Sequence, residues 1–122
     1  MKPKDSVRPF DYTEQWFALR TRARSEKKVL KWLDDKGVTV EAALASVERQ
    51  WSDRVKVVDE PLFPGYVFVH LAPRNFVEAL NNPWAVNILR GSKGPSPLRP
   101  EEMEAIRVMV EGVSFTGERP IE

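Results

Sequence analysis

A run of six residues, Tyr66-Val67-Phe68-Val69-His70-Leu71, constrains the fold of this chain more than any other segment. Aromatic and β-branched side chains fit the pleated surface of a sheet, so the run predicts a strand. The segment before it, Glu60-Pro61-Leu62-Phe63-Pro64-Gly65, holds two prolines that cannot donate to a ladder of backbone hydrogen bonds. The strand is therefore expected to begin directly after a turn.

Side chains alternate across a strand, which divides this run into two faces. One face carries Val67, Val69 and Leu71, and the other carries Tyr66, Phe68 and His70. If helices cover only the first face, the two aromatic rings of the second form an apolar patch with Phe63 and Pro64, of the kind that marks a partner site. If helices cover both faces, the rings belong to the core. The pattern alone leaves both alternatives open.

The remaining segments mix the periodicities of strands and helices. Strands are predicted at residues 16–19, 41–51, 55–58 and 86–89, with residues 51–54 as a hairpin tip. Helices are predicted after Ser25 as the N-cap, after Pro73, and from Glu101 onwards. This order predicts an α+β fold with a mainly antiparallel sheet of about four to five strands and about three helices that cover one face.

The chain is expected to hold one domain. Its 122 residues suit a single hydrophobic core, with residues 1–14 as a flexible lead-in, 15–112 as the domain and 113–122 as a tail. No apolar run approaches the roughly 18 residues that a membrane helix needs, and no secretory signal precedes the domain. Together with the absence of cysteine, this predicts a cytoplasmic, monomeric protein without disulfides or thiolate metal sites.

The sequence lacks the residue combinations that common catalytic sites require. His70 is the only histidine, and there is no cysteine and no glycine-rich phosphate loop. The acidic pairs Asp34-Asp35 and Glu101-Glu102 fall at a helix end and a helix start, where solvation and the helix dipole account for them. We therefore expect no catalytic residue, cofactor or metal. The protein is expected to bind other macromolecules and not to act as an enzyme.

Positive charge is concentrated in one segment although the formal net charge is only +1. Six basic residues stand against Glu26 alone: Arg20, Arg22, Arg24, Lys27, Lys28 and Lys31. Such a patch can contact phosphate, but a solvated helix face accounts for it equally well.

The segment from Glu60 to Val69 resembles the signature of the NusG N-terminal domain, in which a Phe-Pro-Gly-Tyr element leads into a central strand. Further landmarks occur in the order that this family shows. They are Trp16-Phe17 in the first strand, the helix with Glu26 and Leu33, and Pro97-Leu98 before the last helix. The resemblance covers about residues 15–111.

This resemblance implies a transcription elongation or antitermination factor without enzymatic activity. Members of the family dock an apolar surface on the clamp helices of the largest RNA polymerase subunit. Carried over by motif, the docking residues are Phe63, Pro64, Tyr66 and Phe68. Basic residues of specialised members contact nontemplate-strand DNA, which implies the same role for Arg22, Arg24 and Lys28.

Two segments resemble specialised antiterminators of the family. Glu60-Pro61-Leu62-Phe63-Pro64 is similar to an element of RfaH, and Gln50-Trp51-Ser52-Asp53-Arg54 is similar to the hairpin tip of UpxY-like proteins. Other positions depart from the RfaH pattern. Val77-Glu78-Ala79 replaces a polar motif that reaches the polymerase gate loop, and Ala85 replaces an arginine used in DNA recognition.

Two further expectations remain. The family usually adds a KOW domain, so residues 113–122 are expected to begin the linker to one that this chain lacks. The alternative function is that of an RRM-like domain that stacks the bases of single-stranded nucleic acid on Tyr66 and Phe68.

Overall fold

The computed structural model describes residues 12–117, with side chains to residue 113. Residues 1–11 of the predicted lead-in and residues 118–122 of the predicted tail lie outside this range. In chain order the elements are β1 (Gln15–Thr21), α1 (Glu26–Asp35), β2 (Thr39–Glu41), β3 (Leu44–Gln50), β4 (Val55–Pro61), β5 (Tyr66–Leu71), a 3-10 turn (Pro73–Asn75), α2 (Phe76–Ala79), β6 (Ala85–Ile88), β7 (Arg90–Gly91), β8 (Gly94–Pro95) and α3 (Pro100–Gly117). No helix of the described range has the length and apolar character needed to cross a membrane.

The predicted α+β class is confirmed. A four-stranded sheet has the order β2-β5-β1-β6, and β3-β4 and β7-β8 form two separate ribbons. Every strand pair is antiparallel within the described residues. The strand predicted at Tyr66–Leu71 is β5, and it lies between β2 and β1 at the middle of the sheet.

One face of the sheet carries the larger core. The register pairs Phe17 with Val69 across β1 and β5, which places both side chains on the same face. Val29 and Leu33 of α1 pack there, and all four side chains are fully buried. Phe76 of α2 adds an edge-to-face contact with Phe17, with ring centroids 4.9 Å apart. Burial of Val29 and Leu33 agrees with the sequence pattern. In α2 the apolar spacing of Phe76, Val77 and Leu80 is only partly matched, because Phe76 and Leu80 pack on the core whereas Val77 is 80% exposed.

The opposite face is also covered, so the prediction that helices cover one face only is wrong. Met103 of α3 packs on Ala18 and Phe68, with Ile106 and Val110 beside them. Phe68 is only 5% exposed. Two contacts hold the helix here: the N–H of Leu98 donates to the carbonyl of Trp16 at 2.7 Å, and Arg107 binds Glu41 of β2. These two contacts join residues far apart in the chain, which the spacing of apolar residues does not reveal.

The predicted hairpin is confirmed, with a break before it. A single strand was expected from residue 41 to 51, but β2 ends at Glu41 and β3 begins at Leu44. The N–H of Trp51 donates to the carbonyl of Arg54 at 2.7 Å and closes the tip. On the ribbon, Arg49 donates to the carboxylate of Glu60, and this hydrogen bond lowers the pKa of Glu60.

Three other boundaries differ from expectation. β4, expected at residues 55–58, continues to Pro61, which pairs with Leu44. Residues 90–100, whose two glycines and three prolines predict a loop, contain the short β7-β8 ribbon, in which Gly91 pairs with Gly94. The last helix continues to Gly117, past the residue at which we expect the domain to end.

The start of α1 is fastened to the turn before β5. Ser25 stands at the N-cap as predicted, but its hydroxyl donates to the carbonyl of Ala23 at 3.3 Å and does not cap the helix. Glu26, in the first turn of α1, is buried, and its carboxylate accepts the N–H of Gly65 at 2.6 Å. The carbonyl of Gly65 accepts the N–H of Thr21 at 2.7 Å. Gly65 has φ of +88°, a conformation that glycine adopts without strain.

We expect Glu26→Ala to lower the free energy of unfolding by roughly 1.5–3 kcal/mol, because it removes the charged acceptor of the Gly65 N–H. Urea denaturation of the wild type and the variant measures this difference. The matched control is Glu78→Ala, whose carboxylate is exposed and whose effect should stay within about 0.5 kcal/mol. Equal effects of the two substitutions would contradict a structural role for Glu26.

We expect Phe68→Ala to lower the free energy of unfolding by about 3–5 kcal/mol, since it opens a cavity beneath α3. Thermal unfolding monitored by circular dichroism tests this. Val77→Ala is the control, because Val77 is 80% exposed and its truncation removes little buried surface. An effect of Phe68→Ala as small as that of the control would mean that α3 does not cover the ring.

Candidate functional site

A cleft of about 780 Å³ lies between the start of α1 and the base of the β3-β4 ribbon. Its basic wall contains Arg20, Arg24 and Lys27. Its less polar wall contains Leu44, Pro61, Pro64 and Tyr66. The floor includes Gly65 and Glu26, whose carboxylate is already engaged by the Gly65 N–H. The cleft therefore combines an aromatic anchor with cationic side chains.

The turn before β5 presents three of the four predicted docking residues. Pro64 is exposed, and Phe63 and Tyr66 are half-buried. The N–H of Tyr66 donates to the carbonyl of Phe63 at 3.0 Å, which closes the turn. Pro64 and Tyr66 line the cleft. Phe63 does not line it and packs on the smaller core beneath α3, which contains Phe68 and Met103.

Phe68 does not belong to the exposed surface, contrary to the expectation for an uncovered aromatic face. Its ring is buried under α3 and meets the ring of Phe63 edge to face, with centroids 5.8 Å apart and planes at 87°. Phe68 thus supports Phe63 from beneath. His70 lies on the same face, with its Nδ1 3.8 Å from Oε1 of Glu14. Its ring packs on Trp16, with ring centroids 5.0 Å apart.

The three predicted nucleic-acid-binding residues are exposed but do not share the cleft. Arg24 lines it, and its φ of 60° places the backbone in the left-handed region. Arg22 is oriented elsewhere, because its Nε donates to the carbonyl of Pro83 at 2.8 Å. Lys28 lies on α1 and is not among the lining residues. Trp84, an aromatic residue that follows Pro83, is half-buried against the larger core and is not an exposed stacking surface for bases.

Two cations of the cleft, Arg20 and Lys27, belong to the basic patch identified in the sequence but not to the predicted binding residues. Arg20 faces Tyr66 in the register of β1 and β5, so extending the first strand by one residue and pairing it with the Tyr66 strand identifies this neighbour. Asp59 is the exposed carboxylate of the cleft, and it accepts the hydroxyl of Ser46 at 2.7 Å. Positive charge predominates among the described lining residues.

Within residues 12–117, no three histidine, aspartate or glutamate side chains are arranged to hold a metal ion. The cleft presents an aromatic ring, proline rings, guanidinium groups and an ammonium group. Such a set binds other molecules by apolar contact and by attraction of negative charge.

Comparison with known proteins agrees with this architecture. A solved structure described as domain interaction in Thermotoga maritima NusG matches with a TM-score of 0.51 and 24% sequence identity. The match covers 83% of this chain and 59% of that chain, so the protein spans about three fifths of the solved relative. At this identity the likeness shows a shared fold. The comparison with curated proteins gives no match.

The family comparison extends over most of the domain. The protein-family model described as transcription termination factor nusG matches residues 14–107, from the residue before β1 into α3. The matched range contains the Phe63-Pro64-Gly65-Tyr66 turn and both walls of the cleft. The protein belongs to the NusG family.

Proposed function

We propose that this domain binds RNA polymerase, on the clamp helices of its largest subunit, through Phe63, Pro64 and Tyr66, with Phe68 supporting the surface from below. Binding there promotes processive transcription elongation. The observation that carries the proposal is a hydrogen-bonded turn whose side chains are exposed or half-buried beside a cationic cleft. Membership of the NusG family supports a role in transcription.

Anchor residues of a binding surface contribute most when they are held in place before the partner arrives. The Gly65 N–H is fixed by Glu26, and the Phe63 ring rests on Phe68. Tyr66 therefore loses little conformational freedom on binding. A helix that lays its side chains against this turn would insert them into the cleft between the less polar and the basic wall.

The basic segment provides a second contact. We propose that Arg22, Arg24 and Lys28 bind the phosphates of nontemplate-strand DNA exposed on the polymerase surface. All three side chains are exposed, and they lie in the segment from the end of β1 to the first turn of α1. Because Arg22 is held by the Pro83 carbonyl and Arg24 faces the cleft, the contact would extend along the segment instead of filling one pocket.

A specialised role is proposed for the same surface. We propose an antiterminator related to RfaH and UpxY-like proteins, in which the domain bridges the polymerase cleft and hinders clamp opening. Val77-Glu78-Ala79 offers one strongly exposed apolar side chain, Val77, and no polar motif for a gate-loop contact. Residues 15–112 form the binding unit of this proposal.

The RRM-like alternative requires two aromatic rings on an open sheet face. Phe68 is 5% exposed, which leaves Tyr66 as the only one of the two rings available for stacking. The structure therefore favours a protein partner for this surface, with nucleic acid as a neighbour.

We expect Tyr66→Ala to weaken binding to an isolated clamp-helix fragment by at least about tenfold, since the anchor of the cleft is lost. Biolayer interferometry measures the affinity. Tyr12→Ala is a matched control, because Tyr12 is the other tyrosine and is 53% exposed next to Arg74. Unchanged affinity in a folded Tyr66→Ala variant would contradict the proposal, and loss of RNA binding alone would favour the RRM-like alternative.

We expect Arg24→Ala/Lys28→Ala to weaken binding to single-stranded DNA and to reduce the slope of log affinity against log salt by roughly 1 to 2. Fluorescence anisotropy over a salt series tests this. Lys36→Ala is the control, since Lys36 follows the far end of α1 and packs on the Trp32 ring. A salt slope equal to that of the wild type would show that these residues do not contact phosphate.

A further inference from the structure

Helix α3 has two apolar faces, and only one is used inside the domain. Met103, Ile106 and Val110 pack against the sheet. The other face carries Ala105, Val108, Met109 and Gly112, at the spacing that aligns side chains along a helix. All four are exposed, and Val108 and Met109 are exposed to 56% and 46%.

This outer face is unusual for a helix at the surface of a domain. A surface helix normally has polar residues opposite its buried stripe, whereas a helix that is apolar on both sides is typical of a buried position. Most of the described surface of α1 shows the ordinary arrangement, with Lys27, Lys28 and Lys31 exposed. The outer face of α3 lacks a covering element among the described residues.

Carboxylates border the outer face. The side chains of Glu101 and Glu104 are 72% and 68% exposed and lie 3.9 Å from Arg99 and 3.7 Å from Arg107, respectively. Glu111 is exposed two residues before the end of the described side chains. The one basic residue of the helix between residues 100 and 113 is Arg107. It binds both carboxylate oxygens of Glu41, at 2.8 Å and 2.9 Å, and this hydrogen bonding raises its pKa. Arg107 is thus shared between Glu41 and Glu104, and Arg99 between Glu101 and Glu102, so carboxylates outnumber basic side chains along this rim.

We propose that the outer face of α3 binds a cationic amphipathic helix of another protein. The apolar side chains of that helix would cover Val108 and Met109, and its lysines or arginines would meet Glu101, Glu104 and Glu111. The small residues Ala105 and Gly112 allow the two helix backbones to approach closely. With 18 residues, α3 is roughly 27 Å long and offers about five turns for such packing.

Charge separates this partner from the other occupants of an apolar face. A second copy of the chain would place the same carboxylates opposite one another, and like charges at an interface oppose association. An anionic membrane surface and nucleic acid would be repelled for the same reason. None of the residues that line the cleft beside Tyr66 belongs to α3, so both surfaces can be occupied at once.

The experiment uses a fluorescein-labelled synthetic helical peptide with leucines along one face and lysines on its flanks. An otherwise identical peptide carries glutamates in place of the lysines. Anisotropy titration with the full chain is expected to show binding of the cationic peptide at least about tenfold tighter than of the anionic one. Val108→Ser/Met109→Ser is expected to weaken cationic-peptide binding about tenfold or more, while Val77→Ser/Val86→Ser, which alters exposed valines elsewhere, leaves it unchanged.

The charge-reversed variant Glu101→Lys/Glu111→Lys provides a test that does not depend on loss of apolar surface. It should lose the cationic peptide and gain the anionic one. Three results would overturn the proposal. The first is equal affinity of the wild type for both peptides, and the second is cationic-peptide binding that survives Val108→Ser/Met109→Ser. The third is self-association of the wild type that Val108→Ser/Met109→Ser abolishes. The last result would assign the face to a second copy of the chain.

Discussion

The carboxylate of Glu26 accepts the amide hydrogen of Gly65 at 2.6 Å, and much of the candidate site depends on this contact. It joins the first turn of α1 to the turn that starts β5, across 39 residues of sequence. The neighbouring hydrogen bond from the Thr21 N–H to the Gly65 carbonyl fixes the same turn to the end of β1. Both walls of the cleft meet at this point, so their relative position is set by backbone groups and by one buried acid instead of by exposed side chains.

Local patterns predicted the elements well. The alternation and the flanking prolines located β5, and turn residues located the hairpin tip at Trp51 to Arg54. The sequence also identified Met103, Ile106 and Val110 as the inner side of the last helix. It could not indicate which sheet face would receive them, since that depends on contacts such as Arg107 with Glu41, 66 residues apart. The exposure of Phe68 was consequently predicted wrongly.

The candidate site was predicted in part for the same reason. Phe63, Pro64 and Tyr66 follow from a local motif, and the structure brings them to one turn. Arg20 joins them only through strand register, and Glu26 resembles any acidic residue at the start of a helix until its partner is known. A buried acid with a distant backbone partner leaves no local signature, because the same residue type at the same helix position is usually solvated.

The edge-to-face contact of Phe63 with Phe68 links a partly accessible ring to a fully enclosed one. The side chains at positions 63 and 68 cannot be changed independently, because a change in the volume or tilt of either ring alters the packing of the other. Engineering of binding specificity at Phe63 would therefore require simultaneous redesign of the layer formed by Phe68 and Met103. The evolvability of this surface is limited by the packing behind it.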